Sequence, residues 1–392
     1  MPTNFSTNTL TGTSVAIDDY YVTADAFRQG NLWTWGRNDY GQLGTNTTTQ
    51  RNTPVTTLAG GANWKQVTGC HSQAMAAIKT DGTLWTWGRN YAGRLGDNTT
   101  TDRSTPVTTF AGGTNWKQVA GGYNFTAIKT DGTLWTWGFN ANGTIGDNTT
   151  TNRLTPVTTF AGGTNWKQST NGDWNTAAIK TDGTLWIWGI PNGAGINQAF
   201  TNRLTPVTTF AGGTNWKQVV CGYRYTAAIK TDGTLWTWGF NSYGQVGDNT
   251  TTQRLTPVTT FAGGTNWKQI GLSARAWSVS AIKTDGTLWT WGYNATGQLG
   301  DNTATTRSTP VTTFAGGTNW KQVFFISATS AAAVKTDGTL WTWGQNSTGQ
   351  LGNNTTTTRS TPVTTFAGGT NWKQVAGAIG HTAATTYIDD YQ

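Results

Sequence analysis

The sequence predicts an all-β fold, a seven-bladed β-propeller of four-stranded antiparallel blades whose ring is closed by C-terminal strands. Three observations predict it. Leu-Trp pairs begin at Leu32, Leu84, Leu134, Leu185, Leu235, Leu288 and Leu340, at intervals of 50 to 53 residues, and a fixed period of that size marks a repeat architecture rather than a series of independent domains. A second phrase, FAGGTNWKQ, runs verbatim from Phe110, Phe160, Phe210, Phe261, Phe314 and Phe366, with a looser copy from Leu58 to Gln66. All 18 acidic residues are aspartate, while Thr, Asn and 51 glycines crowd the chain. That composition suits strands and turns and starves helices.

Each unit offers four short strands in order. WKQV comes first, AAIK second, TLWTW third and PVTTF last, separated by Gly, Asn and Asp. Between the second and third sits Asp-Gly, read as a two-residue type I′ turn, which makes them antiparallel neighbours. Pro54 and its equivalents open the fourth strand, where a missing N–H is tolerated at a sheet edge. In TLWTW the two Trp alternate with Thr, so both face the neighbouring blade. With the Trp of NWK this assigns 21 of the 23 tryptophans to packing and leaves Trp174 and Trp277 off the template.

The chain enters the first unit at NLWTW and ends with a WKQV strand (Trp372 to Val375) and a degenerate strand (Thr382 to Tyr387), so these two are expected to complete the first blade. Tyr20 to Phe27 competes for the same second position. Residues 1–27 therefore read as an off-template segment for docking or closure, and 28–392 as the propeller.

The +8 net charge comes largely from positions repeated once per unit, a ring rather than the concentrated stripe of a nucleic-acid reader. Cys70 and Cys221 lie three repeats apart, against a disulfide framework. The first residues have neither a basic nor an apolar run, which leads to the expectation of cytoplasmic synthesis without a signal peptide. No segment is apolar and long enough to span a membrane. With no Glu and two His in different units, neither a paired-carboxylate nor a Ser/His site can be assembled readily, so the chain is expected to be no enzyme. No spacing points to a metal or other cofactor.

One phrase is fixed and its neighbours are rewritten. The window between WKQ and the next Lys varies from 10 to 13 residues, and removing it leaves 40 or 39 residues in every unit. A second window, RNDYGQLG in its first copy, becomes RNYAGRLG, FNANGTIG, IPNGAGIN, FNSYGQVG, YNATGQLG and QNSTGQLG. In an up-and-down blade both windows fall on one face and TDGT and AGGTN on the other. Varied loops on an unchanging scaffold are the arrangement expected of recognition. The candidate ligand-binding residues are His71, Tyr123, Phe125, Trp174, Tyr223, Arg224, Tyr225, Arg275 and Trp277 in the first window. Arg37, Tyr40, Arg89, Tyr91, Phe139, Phe240 and Tyr293 come from the second. Rigid aromatics with adaptable polar groups suit a protein or glycan.

DGTLWTWGRNYAGRLG at Asp81 to Gly96, with GQLG at Gly41, Gly297 and Gly349, resembles the repeat of the regulator of chromosome condensation family, whose members form seven-bladed propellers. The resemblance covers nearly all of the chain after residue 30 and implies roles as different as nucleotide exchange on the small GTPase Ran and inhibition of β-lactamases. The family's His-Thr before the third strand survives only as His381 and Thr382. No unit carries an insertion of the kind an exchange factor needs to reach a nucleotide. The function read from the sequence is a non-enzymatic binding scaffold, as a phage virion protein or surface adhesin whose partner is a cell-surface protein or glycan, with the N-terminal segment docking to other virion proteins. The alternative is an intracellular protein-interaction propeller, with GTPase exchange or inhibition among its roles.

Overall fold

In the computed structural model, which describes residues 30–71, 73–190, 202–271 and 276–387, six sheets each form from four strands consecutive in the chain, and a seventh joins its two ends. β1 (Leu32–Gly36) and β2 (Arg51–Thr56) come first. β3 (Trp64–Cys70), β4 (Ala74–Lys79), β5 (Leu84–Gly88) and β6 (Arg103–Thr108) then form one sheet in that order. The pattern continues in chain order through blades two to seven. It ends with β27 (Trp372–Ala378) and β28 (His381–Thr386), which join β1 and β2 as blade one in the order β2-β1-β28-β27. β28 thus holds the contested second position, with Leu32 opposite Thr385 and Gly36 opposite His381. Its rival, Tyr20 to Phe27, lies outside the described residues.

Two local expectations change. The Asp-Gly turn has three residues, not two: Gly82 N–H bonds Lys79 O (3.0 Å), Lys79 N–H bonds Thr83 O (3.0 Å), and only Gly82 takes a positive φ, +79°. This is a type I turn followed by a left-handed glycine. Asp81 serves it by accepting from Thr83 N–H (2.9 Å) and the Thr83 hydroxyl (2.7 Å). The fourth strand also begins three residues before its proline, at Arg51, with a bulge between the Thr34 and Gly36 pairings. Pro54 is accommodated within the outermost strand by that irregularity.

Tryptophans pack each blade internally, and tryptophan and glutamine bonds join it to its neighbours. Trp64 meets Trp85 and Trp87 at 6.5 and 6.4 Å between ring centroids, and Lys79 Nζ lies 4.8 and 4.7 Å from the Trp64 and Trp85 rings. Trp87, fully buried, donates through Nε1 to Gln42 O of blade one (2.9 Å). On the innermost strand Gln66 clasps the next blade with both ends of its amide, donating to Val119 O and accepting from Val119 N–H at 3.0 Å each. The same clasp joins Gln374 to Val67, across the closure between the end of the chain and blade two. These strands line a central channel of about 140 Å³.

Candidate binding face

Antiparallel order brings the turn after strand one and the connection after strand three to the same end of every blade. The strands run further into that end than expected, leaving only residues 71–73 between β3 and β4. Two candidates are buried as a result. Phe125 belongs to the second strand of blade three, is 0% exposed, and stacks on Trp137 at 5.8 Å and 20°. Tyr225, in the second strand of blade five, is also 0% exposed and donates its hydroxyl to Ser278 O (2.8 Å). Burial pushes that phenol well above its ordinary pKa. Both are packing residues, contrary to their expected place on the surface. His71 is buried too, at 8% exposure. Arg275 lies outside the described residues.

The other aromatic candidates join into one belt. It starts on blade one at Tyr40, 4.7 Å beneath the Arg89 guanidinium, which also lies 5.8 Å from the Tyr91 ring. Arg94 continues it, 5.1 Å from Tyr91 and 5.7 Å from Tyr123. Around Tyr123 gather His71 at 4.5 Å, Phe139 at 5.6 Å and Trp174 at 5.2 Å. Arg224 bridges Trp174 (5.7 Å) to Tyr223 (5.6 Å), and Tyr223 meets Phe240 and Trp277 at 6.1 and 5.9 Å. Tyr243 stacks on Trp277 at 5.4 Å and 16° and touches Tyr293 at 4.9 Å. The belt crosses blades one to six. Blade seven offers hydroxyls and amides in its place, Thr329 donating to Gln345 and Gln345 to Ser347. Arg37 stands apart, paired with Asp39.

Three contributors were not among the sequence candidates. Arg94 is 1% exposed and donates to Tyr123 O (2.8 Å) and Tyr91 O (2.7 Å), so it props the belt from below. It replaces the Gln of GQLG, a template break that marks it. Tyr243 occupies the same window position as Tyr40. Asp173 pairs with His71 at 3.5 Å, tying blade four to blade two beneath Tyr123.

The surface is therefore preformed. Rings braced against each other and against guanidinium groups lose little freedom on binding, and an Arg over a ring gains from the ring's quadrupole. The GDN loops beside the face are internal devices: Asp97 accepts from Asn90 (3.0 Å) and Thr99 (2.7 Å) and pairs with Arg103 (2.9 Å). Among the described residues, no three His, Cys, Asp or Glu gather in a metal-binding group. Burial pushes the Cys221 thiol up to about 12, which leaves it unreactive.

The sequence profile of the RCC1-like domain matches residues 117–390, and that of the regulator of chromosome condensation (RCC1) repeat matches 29–77 and 81–128. Among curated proteins, the chain is similar to protein RCC2 homolog of Danio rerio, 36% identical over 74 residues, 19% of this chain and 15% of that protein. It is also similar to the E3 ubiquitin-protein ligase HERC2 of Homo sapiens, 35% identical over 82 residues, 20% of this chain and 2% of that one. The matches thus span a small part of either relative. Among solved structures, Prp20p of Saccharomyces cerevisiae, described with its binding properties to Gsp1p and histones, superposes with a TM-score of 0.80 at 18% identity, covering 93% of each chain. Yeast RCC1 (Prp20) bound to Kap60 gives 0.80 at 16%, covering 100% of this chain and 97% of that one. Human WBSCR16 gives 0.77 at 17%, covering 92% and 99%. At these identities the likeness is one of fold.

Proposed function

The chain belongs to the RCC1-like family of seven-bladed propellers, and from that premise we propose that it is a protein-interaction scaffold whose partner docks on the aromatic belt. One observation carries the reading: positions that differ from repeat to repeat are the ones whose rings meet across six blades, while the phrases beneath them are unchanged. Fold-level neighbours described with Gsp1p, histones and Kap60 support a protein rather than a glycan as partner. They favour the intracellular alternative over a virion or adhesion role. Scaffolding also fits better than nucleotide exchange, since the near-constant unit length supplies no element to enter a nucleotide site.

The test is affinity capture with the intact chain and with a Trp174→Ala/Tyr223→Ala/Trp277→Ala variant. Each buried aromatic anchor at an interface is worth about 2 kcal/mol, so proteins held by the wild type should be absent from the variant at unchanged melting temperature. An identical captured set from both would overturn the reading. Nucleotide release from a small GTPase of the Ran type, stimulated by the wild type alone, would restore exchange.

A further inference from the structure

The two faces of the propeller carry different cations. All thirteen lysines lie at the end opposite the belt, and no described arginine does. Seven are the second residue of strand one, Lys65 and its equivalents, of which five are exposed and Lys321 and Lys373 half-buried beside Tyr387. Six close strand two, each Nζ 4.3 to 4.9 Å from two Trp rings. Against these thirteen stand, among the described residues, the six aspartates of the turns, Asp81 and its equivalents, a surplus of seven positive charges.

The same end carries nearly every large apolar side chain that the described residues leave in water. Leu58 and the six phenylalanines from Phe110 to Phe366 are each 61 to 68% exposed, and among the described residues the remaining exposed large hydrophobic is Tyr91 on the belt. Each lies two residues past the outermost strand, before the chain crosses to the innermost strand of the next blade. They therefore mark the rim, with strand-one lysines nearest the channel and the turns between. Equivalent residues of blades related by rotation about one axis share a plane.

A single exposed apolar side chain needs no explanation. Seven coplanar ones around a positively charged face define a footprint. A folded protein would have to offer seven matching pockets on one ring, whereas a bilayer offers apolar depth everywhere and, when it holds acidic lipids, a uniform negative surface. We propose that this face rests on an anionic lipid bilayer. The rim rings sit at the boundary between headgroups and acyl chains, the lysines lie against acidic headgroups, and the belt is turned toward the aqueous side. The inference is independent of the belt's partner.

The experiment is sedimentation of the full chain with vesicles of phosphatidylcholine alone or with about one third phosphatidylserine, at about 0.1 M salt. Binding is expected to the mixed vesicles only, weakened about tenfold or more by Phe110→Ser/Phe160→Ser/Phe210→Ser. Lys117→Gln/Lys167→Gln/Lys217→Gln should weaken it and flatten its salt dependence. The belt variant should bind as the wild type does, which separates this test from that of the partner face. No binding to the mixed vesicles, or binding untouched by the Phe substitutions, would overturn the proposal. So would tighter, Phe-independent binding to a DNA duplex, which would mark the face as a general polyanion binder.

Discussion

His381 opens the closing strand fully buried, with Nε2 3.0 Å from the Met75 sulfur and Nδ1 3.4 Å from Ile379 O. Burial, joined by the nearby Arg37 charge and opposed by the Ile379 carbonyl, lowers its pKa from 6.5 to about 4. The fold thus holds the ring neutral at a pH where the unfolded chain takes up a proton. Stability is full above the unfolded value and declines as pH falls from about 6.5 toward 4, by at most about 3 kcal/mol. Melting compared at about pH 7.5 and about pH 5 should show a drop that His381→Asn removes; equal drops would place the acid sensitivity elsewhere. Asp97 acts lower. Burial alone would raise it, but bonds from Thr99, Arg103 and Asn90 outweigh that and hold it below 3.8, so its contribution is lost only as pH falls through the lowered value. Neighbouring aromatics separate core from surface: Phe125→Ala should cost about 3 to 5 kcal/mol in denaturant unfolding, and Tyr123→Ala much less. Similar costs for both would refute the assignment of Phe125 to packing.

At the scale of the element, the inner strand's glutamine does more than its exposure suggests. Gln374→Ala leaves Val67 N–H and C=O without their partner across the closing seam, at a cost of about 1 to 3 kcal/mol. Lys373→Gln, one residue away, should leave the seam intact; matched melting curves for the two variants would deny the clasp its role. The blade was legible because period, Asp-Gly and Trp alternation all point to the same four strands. The turn type was not: Asp-Gly fits both a two-residue and a three-residue hairpin, and only the Lys79 and Thr83 bonds decide. Nor was the reach of the strands. Phe125 and Tyr225 sit in a window that varies in length, and variation by itself does not separate a loop tip from the strand residues beside it. Arg94 was visible as a departure from GQLG, but its position beneath the belt depends on the neighbouring blade.

At the scale of the molecule, ring closure and the division of labour between faces are the claims to test. Removing Gly369 to Gln392 takes away β27 and β28 and exposes β1 and the inner edge of blade two together. The truncated chain should melt lower and self-associate, as read by light scattering, and a stable monomer would show that the seam is dispensable. The central claim, that one varied face receives a partner on an otherwise uniform scaffold, is tested most directly by hydrogen exchange of the chain with and without a captured partner. Protection is predicted at the turns and connections carrying Arg89, Tyr91, Tyr123, Trp174, Tyr223, Tyr243, Trp277 and Tyr293, with the Asp-Gly turns exchanging as before. Protection centred on Asp81, Asp131, Asp182 and their equivalents, with the belt unchanged, would contradict it.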